Sequence, residues 1–565
     1  MKAKKKKPLP SIPSWFKYTW WSIPLLAILV YIPSFIADFT LDDVLIIEDN
    51  MFLRSFDMLD DIWTSHYWAG KIDATDTGLY RPLTLTTFAI QYWTTGENPV
   101  PFHIVNILLH ALATFVLMRF VHLLFKDYRL TALSGLFFAI HPIHTEAVSG
   151  IVGRAEILAA VFIMLASISY HNWREKGKLK WLVILLISCI GAVTSKEHGF
   201  MLPFILALQE AYYFFANKKQ LIISRRSWIG LASVLTVSVL FWLIRSAITG
   251  ATKPHEQWLG VDAGQRMATA VRTTFDYIGL HLVPLKLSAD YWTTEVPITG
   301  WGNISVIMSL LFCLALTGFA IWQRKSMGSF SWGIIFFFLT LAPVSNFFFA
   351  AGFLKAERIL YIPSIGLIIA IASILVRGLD IRKMRIPVLI LILIMTIFFM
   401  VRTWIRSGDW KNNYSLAIAT LKTSPDSPRF NNMMGLELRT LNRNEEAVRF
   451  FEKAVQANPH HVPALVNLGM EYKTAGQLKE AAAILEKALE TDPATMATYV
   501  NLMSIYRSME DYDRNIMIAE KAIERFPQSA AILWNAANAF HLKNDMRRAD
   551  ELRAKARQIQ PDIGN

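Results

Sequence analysis

Up to residue 404 the chain alternates long apolar runs with short polar breaks; beyond it the apolar positions thin into a helical spacing. Eleven stretches approach the roughly 20 residues that cross a bilayer as a helix: 18–37, 99–121, 131–148, 150–170, 179–195, 199–216, 228–249, 303–323, 329–350, 358–377 and 386–404. Segment 82–95 reads as amphipathic instead. A basic run, Lys2 to Lys7, before an apolar stretch is also how a signal peptide begins. Residues 18–37, however, are of full membrane length and lack a small-residue cleavage pattern, so they read as an uncleaved first helix. The reading so far is a basic segment 1–17, a membrane bundle over 18–410 with a long first loop at 38–98, and a short linker helix at 411–426.

The tail, 427–565, follows another rule. Pro425, Pro459, Pro493, Pro527 and Pro561 recur every 34 residues, as do Ala454, Ala488, Ala522 and Ala556. That period, with Ala in the second helix and Pro closing the unit, is the tetratricopeptide pattern. Four units are predicted. Gly435, Gly469 and Ala537 hold the small position of the first helix, and Met503 departs from it. Such arrays stack into a solenoid with a concave face, so a peptide-binding groove is expected, with a rigid spacer as the plainer alternative.

Composition narrows this further. Apolar residues make up 53% and charged residues 18% of 565, against about 25% charged in soluble proteins. Cys189 and Cys313 both sit in apolar runs, which argues against a disulfide framework. The net charge of +13 would suggest nucleic acid on a soluble chain. Here it sorts by loop. With the N-terminus cytoplasmic, the inner segments 1–17, 119–130, 171–180, 217–227, 322–330 and 377–385 carry 23 Lys and Arg, with only Asp127, Glu175 and Asp380 opposing them. The short outer loops hold Arg154, Lys196, Lys355 and Arg358. This is the positive-inside asymmetry; nucleic acid drops out, and an odd number of spans places the tail outside the cytoplasm.

The same topology gathers ionisable groups at the outer face, where a membrane protein keeps them only for use. They fall in "LDDVLIIEDN" (Asp42, Asp43), "LYRPLT" (Tyr80, Arg81), "HPIHTEAVSGIVGRAE" (His141, His144, Glu146, Arg154, Glu156), "SKEHG" (Lys196, Glu197, His198) and "LKAERILY" (Lys355, Glu357, Arg358, Tyr361). Each has a plainer reading. Asp42-Asp43 fits a solvated loop end, His141 and His144 fit capping groups as well as metal ligands, and the opposite charges fit structural ion pairs. Taken together, cations could hold a lipid-linked phosphate and a carboxylate could take a proton from an acceptor hydroxyl. A lipid or ion transporter fits the same inventory.

With "YRPLTLTTFAIQYW", "FHIVNILLHA", "FFAIHPIHTEAVSGIVGRAEILAA", "SKEHGFMLP" and "AERILYIPSIG" added, the chain resembles the transmembrane-and-tetratricopeptide O-mannosyltransferase family and its bacterial relatives, from Leu41 to the last repeat. The resemblance implies an all-α, polytopic bundle of the C-type (GT-C) glycosyltransferases with about eleven membrane helices, followed by a tetratricopeptide α-solenoid. It implies an enzyme that moves a sugar from a polyprenyl-phosphate donor, its lipid-linked co-substrate, to a protein Ser or Thr hydroxyl. Asp42 and Asp43 would be catalytic, and Arg81, Arg154, Lys196 and Arg358 would be candidate holders of the donor phosphate. Tyr80, His141, His144, Glu146, Glu197, Glu357 and Tyr361 would line or brace the pocket. No cofactor is certain, and a divalent metal stays open. The expected partners are the donor, membrane lipids and an acceptor protein or peptide in the repeat groove, with no nucleic acid. The expected place is a bacterial inner membrane with the repeats periplasmic. A glycan- or lipid-directed transferase, and a non-enzymatic scaffold built on the repeats, are the alternatives.

Overall fold

A computed structural model describes residues 13–71, 77–216, 224–250 and 255–564. The basic run at Lys2–Lys7, and Lys218 and Lys219 of the inner segment 217–227, lie outside the described residues. Among the described residues the chain is helical, without strands, and it divides into two compact units, Met1–Leu416 and Ala417–Asn565.

The first unit runs α1 (Ser14–Val30), α2 (Leu59–Thr64), α3 (Pro82–Thr95), α4 (Pro99–Phe125), α5 (Tyr128–Ile140), α6 (Thr145–Ser149), α7 (Arg154–Lys176), α8 (Leu179–Ser195), α9 (Leu202–Ala216), α10 (Arg225–Ile248), α11 (Ala263–Leu282), α12 (Ile304–Gln323), α13 (Gly328–Leu341), α14 (Tyr361–Asp380) and α15 (Arg385–Asp409). Each apolar stretch of the sequence holds at least one of these helices. Among the described residues six helical segments are long and apolar enough to cross a membrane: α4, Ile151–Lys176, α10, α12, Arg358–Asp380 and α15. Helices α5 and α8 and the segment Gly328–Val344 are apolar but shorter.

The span expected at 131–148 is in fact a helix that stops at Ile140. Pro142 has no amide hydrogen to continue the ladder, and His141 ahead of it is extended (φ −73°, ψ 123°), as a residue preceding Pro prefers. Residues 141–153 then fold as short turns. Helix α11 lay outside the apolar stretches because it is amphipathic. A capping box starts it: the Gln265 amide donates to Asp262 Oδ1 at 2.9 Å, and the Asp262 amide to Gln265 Oε1 at 3.3 Å.

Burial sorts the long helices. Of the most apolar window in each, 89% is buried for Arg358–Asp380 and 78% for Ile151–Lys176, but only 17% for α12 and α15. Outer helices that show water such unbroken hydrocarbon are stable only if lipid covers it. Close backbone contact tightens the centre, where a Cβ on Gly333 would fall 2.4 Å from the Gly366 carbonyl.

Helix α16 (Asn413–Thr423) carries the boundary between the units. The second unit is four helix pairs: α17 (Pro428–Thr440) with α18 (Asn444–Ala457), α19 (Val462–Thr474) with α20 (Leu478–Thr491), α21 (Met496–Ser508) with α22 (Tyr512–Arg525), and α23 (Ala530–Leu542) with α24 (Met546–Ile559). A Cβ at Gly435 would strike the Phe451 ring at 2.5 Å, and one at Gly469 would strike Leu485 at 2.9 Å. In the third pair the sizes are exchanged: Met503 occupies the small position, and Ala519 stands at the repeat position of Phe451 and Leu485. Both are buried. The departure seen in the sequence is a volume-conserving swap.

Candidate active site: three ion pairs beside a clamped loop

The first loop is pinned before it reaches its acidic pair. The Asp38 amide donates to the Lys411 carbonyl at 2.8 Å, and the Leu41 amide to Asn413 Oδ1 at 2.9 Å. Between these anchors Leu41 takes φ +52°, a left-handed conformation that a side chain like leucine's rarely adopts. A short π-helical turn, Val44–Glu48, follows Asp42 and Asp43. Strained backbone of this kind is kept where surrounding contacts enforce it, often at functional sites.

The two aspartates are placed differently. Asp43 is wholly buried. Its Oδ1 accepts the Val152 amide at 2.8 Å, and its Oδ2 accepts the amides of Ile151 at 3.1 Å and Thr40 at 3.2 Å. It therefore ties the first loop to the turn that starts α7. Burial raises its carboxyl to about 7 despite those amides. Asp42 is partly exposed and lies within electrostatic reach of Arg358 and Tyr67.

Three of the four expected cations form carboxylate pairs. Arg81, at the start of α3, binds Glu197 through two parallel bonds, Nε to Oε1 at 3.1 Å and Nη2 to Oε2 at 2.7 Å, and stacks over Tyr67 at 5.1 Å. Lys196 Nζ bonds Glu156 Oε1. Arg358 Nη1 bonds Glu146 Oε1, while the amides of Glu357 and Arg358 donate to Glu146 Oε2 at 2.9 and 2.8 Å. Glu156 lies within the field of Arg81 and Arg358 as well as Lys196, so the pairs form one cluster. Its inner member is dry, with Lys196 and Glu156 side chains 7% and 1% exposed, whereas Arg358 and Glu197 are 27% and 23% exposed. Burial pushes the Lys196 amine down against the pull of Glu156. Burial also works to raise Glu197, but the charge and hydrogen bonds of Arg81 outweigh it and hold that carboxyl at about 2.

Arg154 is built otherwise. It is buried, with Nε on Asn106 Oδ1 (2.8 Å), Nη2 on Gln91 Oε1 (2.7 Å) and the Phe102 carbonyl (3.2 Å), and Nη1 near the Thr87 carbonyl (3.4 Å), over the Phe88 ring at 4.6 Å. Its donors are spent inside a neutral cage joining α3, α4 and α7.

The remaining expected residues surround this core. Tyr80 donates to the Trp63 carbonyl at 2.6 Å and stacks on Phe241. Both ring nitrogens of each histidine are engaged: His141 by the Ile143 amide and the His281 carbonyl, His144 by the Phe138 carbonyl and Ser364 Oγ. The Tyr361 hydroxyl meets His110 Nδ1 at 2.8 Å. Glu357 accepts the Ser288 amide and the Tyr291 hydroxyl, both at 2.6 Å, and burial lifts its carboxyl to about 7. Among the described residues no group of three or more His, Cys, Asp or Glu is arranged to hold a metal ion.

Sequence reasoning passed over Asn106, Gln91 and His110. The first and last are polar residues inside the apolar helix α4, which is the available signal.

The chain is similar to several protein O-mannosyl-transferases. It is 27% identical over 78% of its length to mouse Protein O-mannosyl-transferase TMTC3, covering 51% of that protein. It is 29% identical over 78% to human Protein O-mannosyl-transferase TMTC1, covering 55%, and 26% identical over 77% to Caenorhabditis elegans Protein O-mannosyl-transferase F38B6.6, covering 62%. Its relatives are protein O-mannosyl-transferases. The chain spans about half the length of the first two. Residues 438–505 match the tetratricopeptide repeat family model. Among solved structures, the MamA RS-1 ArsTM double mutant is matched over 26% of this chain and 84% of that one, at 22% identity and a TM-score of 0.25, too low to bear on the fold.

Proposed function

We propose that the protein is a membrane glycosyltransferase that moves a sugar from a polyprenyl-phosphate donor to a Ser or Thr hydroxyl of a protein. The transfer takes place at the extracytoplasmic mouth of an eleven-span bundle with a cytoplasmic N-terminus. One observation carries the reading: a partly exposed carboxylate, Asp42, fixed by a strained loop beside three interlocked cation–carboxylate pairs. Asp42 is the base that takes the acceptor's proton. Arg81 and Arg358, each paired through only part of its guanidinium among the described residues, keep N–H groups for the donor phosphate and for the charge that grows on it as the sugar leaves. Lys196 adds positive charge from beneath. Asp43 and Arg154 are positioning residues, spending their hydrogen bonds on the loop and on α3–α4–α7. The names of the relatives point to mannose as the first sugar to test.

The second unit supports a protein acceptor. Its first helices α17, α19, α21 and α23 pack on one another in sequence. Asn467, Asn501 and Asn535 share one repeat position on these helices, and Arg439, Lys473 and Arg507 share another. Amides that can donate and accept, on an array whose first three first helices each carry a cation in the last turn, suit an extended polypeptide carrying acidic side chains.

The deciding experiment is transfer to a Ser/Thr peptide by full-length protein with polyprenyl-phosphate mannose. Asp42→Asn should lose about 100-fold or more in rate while keeping the thermal midpoint of the parent. Undiminished transfer by that variant would remove Asp42 from the mechanism.

A further inference from the structure

A second site lies away from these pairs. A cavity of about 320 Å³ opens where the later turns of α9 meet the end of α12 and the start of α13. Glu197 and His198 precede α9 and the loop carrying Glu357 follows α13, so the cavity and the ion-pair cluster sit at opposite ends of these two helices. Its walls are hydrocarbon and rings, among them Leu208, Tyr212, Phe215 and Ile335.

Two polar groups break that lining. Arg324 donates through Nη1 to the Ile321 carbonyl at 2.6 Å and stacks over the Phe215 ring at 5.1 Å, and it has no carboxylate partner among the described residues. Trp332, 2% exposed, has a buried indole N–H without an acceptor among the described residues. Buried donors are nearly always paired, so an orphan N–H in a cavity-lining residue marks a place for an acceptor, which a small turn of the indole toward the cavity would bring within reach.

A fitting ligand therefore carries an apolar chain, an anionic oxygen for Arg324 and an uncharged acceptor for Trp332. A glycerophospholipid has all three, because its ester carbonyls lie a few bonds from the phosphate at the head of each acyl chain. A polyisoprenyl phosphate lacks the carbonyl. Lys325, exposed beside Arg324, adds a preference for an anionic headgroup. We infer that this cavity binds one anionic glycerophospholipid, its phosphate on Arg324, an ester carbonyl on Trp332 and an acyl chain against α9. The bound lipid staples α9 to the α12–α13 hairpin.

Native mass spectrometry of the full-length protein in mild detergent tests this, with diacyl phosphatidylglycerol, its dialkyl ether analogue and undecaprenyl phosphate as probes. The wild type should hold one diacyl lipid and prefer it to the ether form several-fold. Arg324→Gln should lower occupancy by both forms at least 5-fold, and Trp332→Phe should abolish the ester preference alone. Equal occupancy in Arg324→Gln, or displacement by undecaprenyl phosphate, overturns the assignment. Should Trp332→Phe fail to fold, the ester–ether comparison in the wild type decides, and no preference there overturns it.

Discussion

Ion pairs in the two units look alike on paper and differ in physics. Lys196–Glu156 is sealed, its side chains 7% and 1% exposed, whereas Arg547–Glu551 in the last repeat stands in water at 91% and 57%. The first has surrendered hydration and lives on its partners; the second trades one set of water contacts for another. Charge that a protein keeps out of water at such cost is where its chemistry should be sought, and charge left outside mostly keeps the chain soluble.

That contrast can be broken experimentally. Lys196→Met strands Glu156 and should destabilise the first unit by about 3–5 kcal/mol, with the double variant Lys196→Met/Glu156→Leu recovering most of it; thermal unfolding reads both. Asp43→Asn comes next. One oxygen becomes an amide that cannot accept, so a backbone donor at Ile151 or Val152 is left unpaired for about 1–3 kcal/mol, and a midpoint equal to the parent's would contradict the clamp.

Arg81–Glu197 should reveal itself through pH. The Glu197 carboxyl sits near 2 when folded against an ordinary 4.5. Its contribution is therefore complete above about pH 4.5 and vanishes as pH falls toward 2. The midpoint gap between wild type and Glu197→Gln should hold steady near neutrality and close across that acid window. Smallest of all, Arg547→Ala should cost about 0.5 kcal/mol or less by chemical denaturation of the whole chain.

Hydropathy and the 34-residue period made most of the architecture readable. Apolar runs marked the helices of the first unit, because lipid and a dry centre demand the same residues, and Pro and Ala marked the repeats. Helix α11 escaped, since an amphipathic helix does not raise mean hydropathy. The acidic pair and the cations were readable as types but not as roles. Asp42 and Asp43 are neighbours in sequence, yet only three-dimensional packing says that the second is consumed by Ile151, Val152 and Thr40. Arg154 was grouped with Arg81 for the same reason: its neutral partners Asn106 and Gln91 sit about 50 and 60 residues away.

The exchange of sizes at Met503 and Ala519 gives the array an address system. Repeats with interchangeable cores could trade their first helices at little cost. Here α21 moved onto α18 or α20 would drive methionine into phenylalanine or leucine, and α17 or α19 placed on α22 would leave a hollow. Which second helix the first helix of the third repeat accepts is thereby written into the packing of the interior, independently of whatever the outer face is selected to hold.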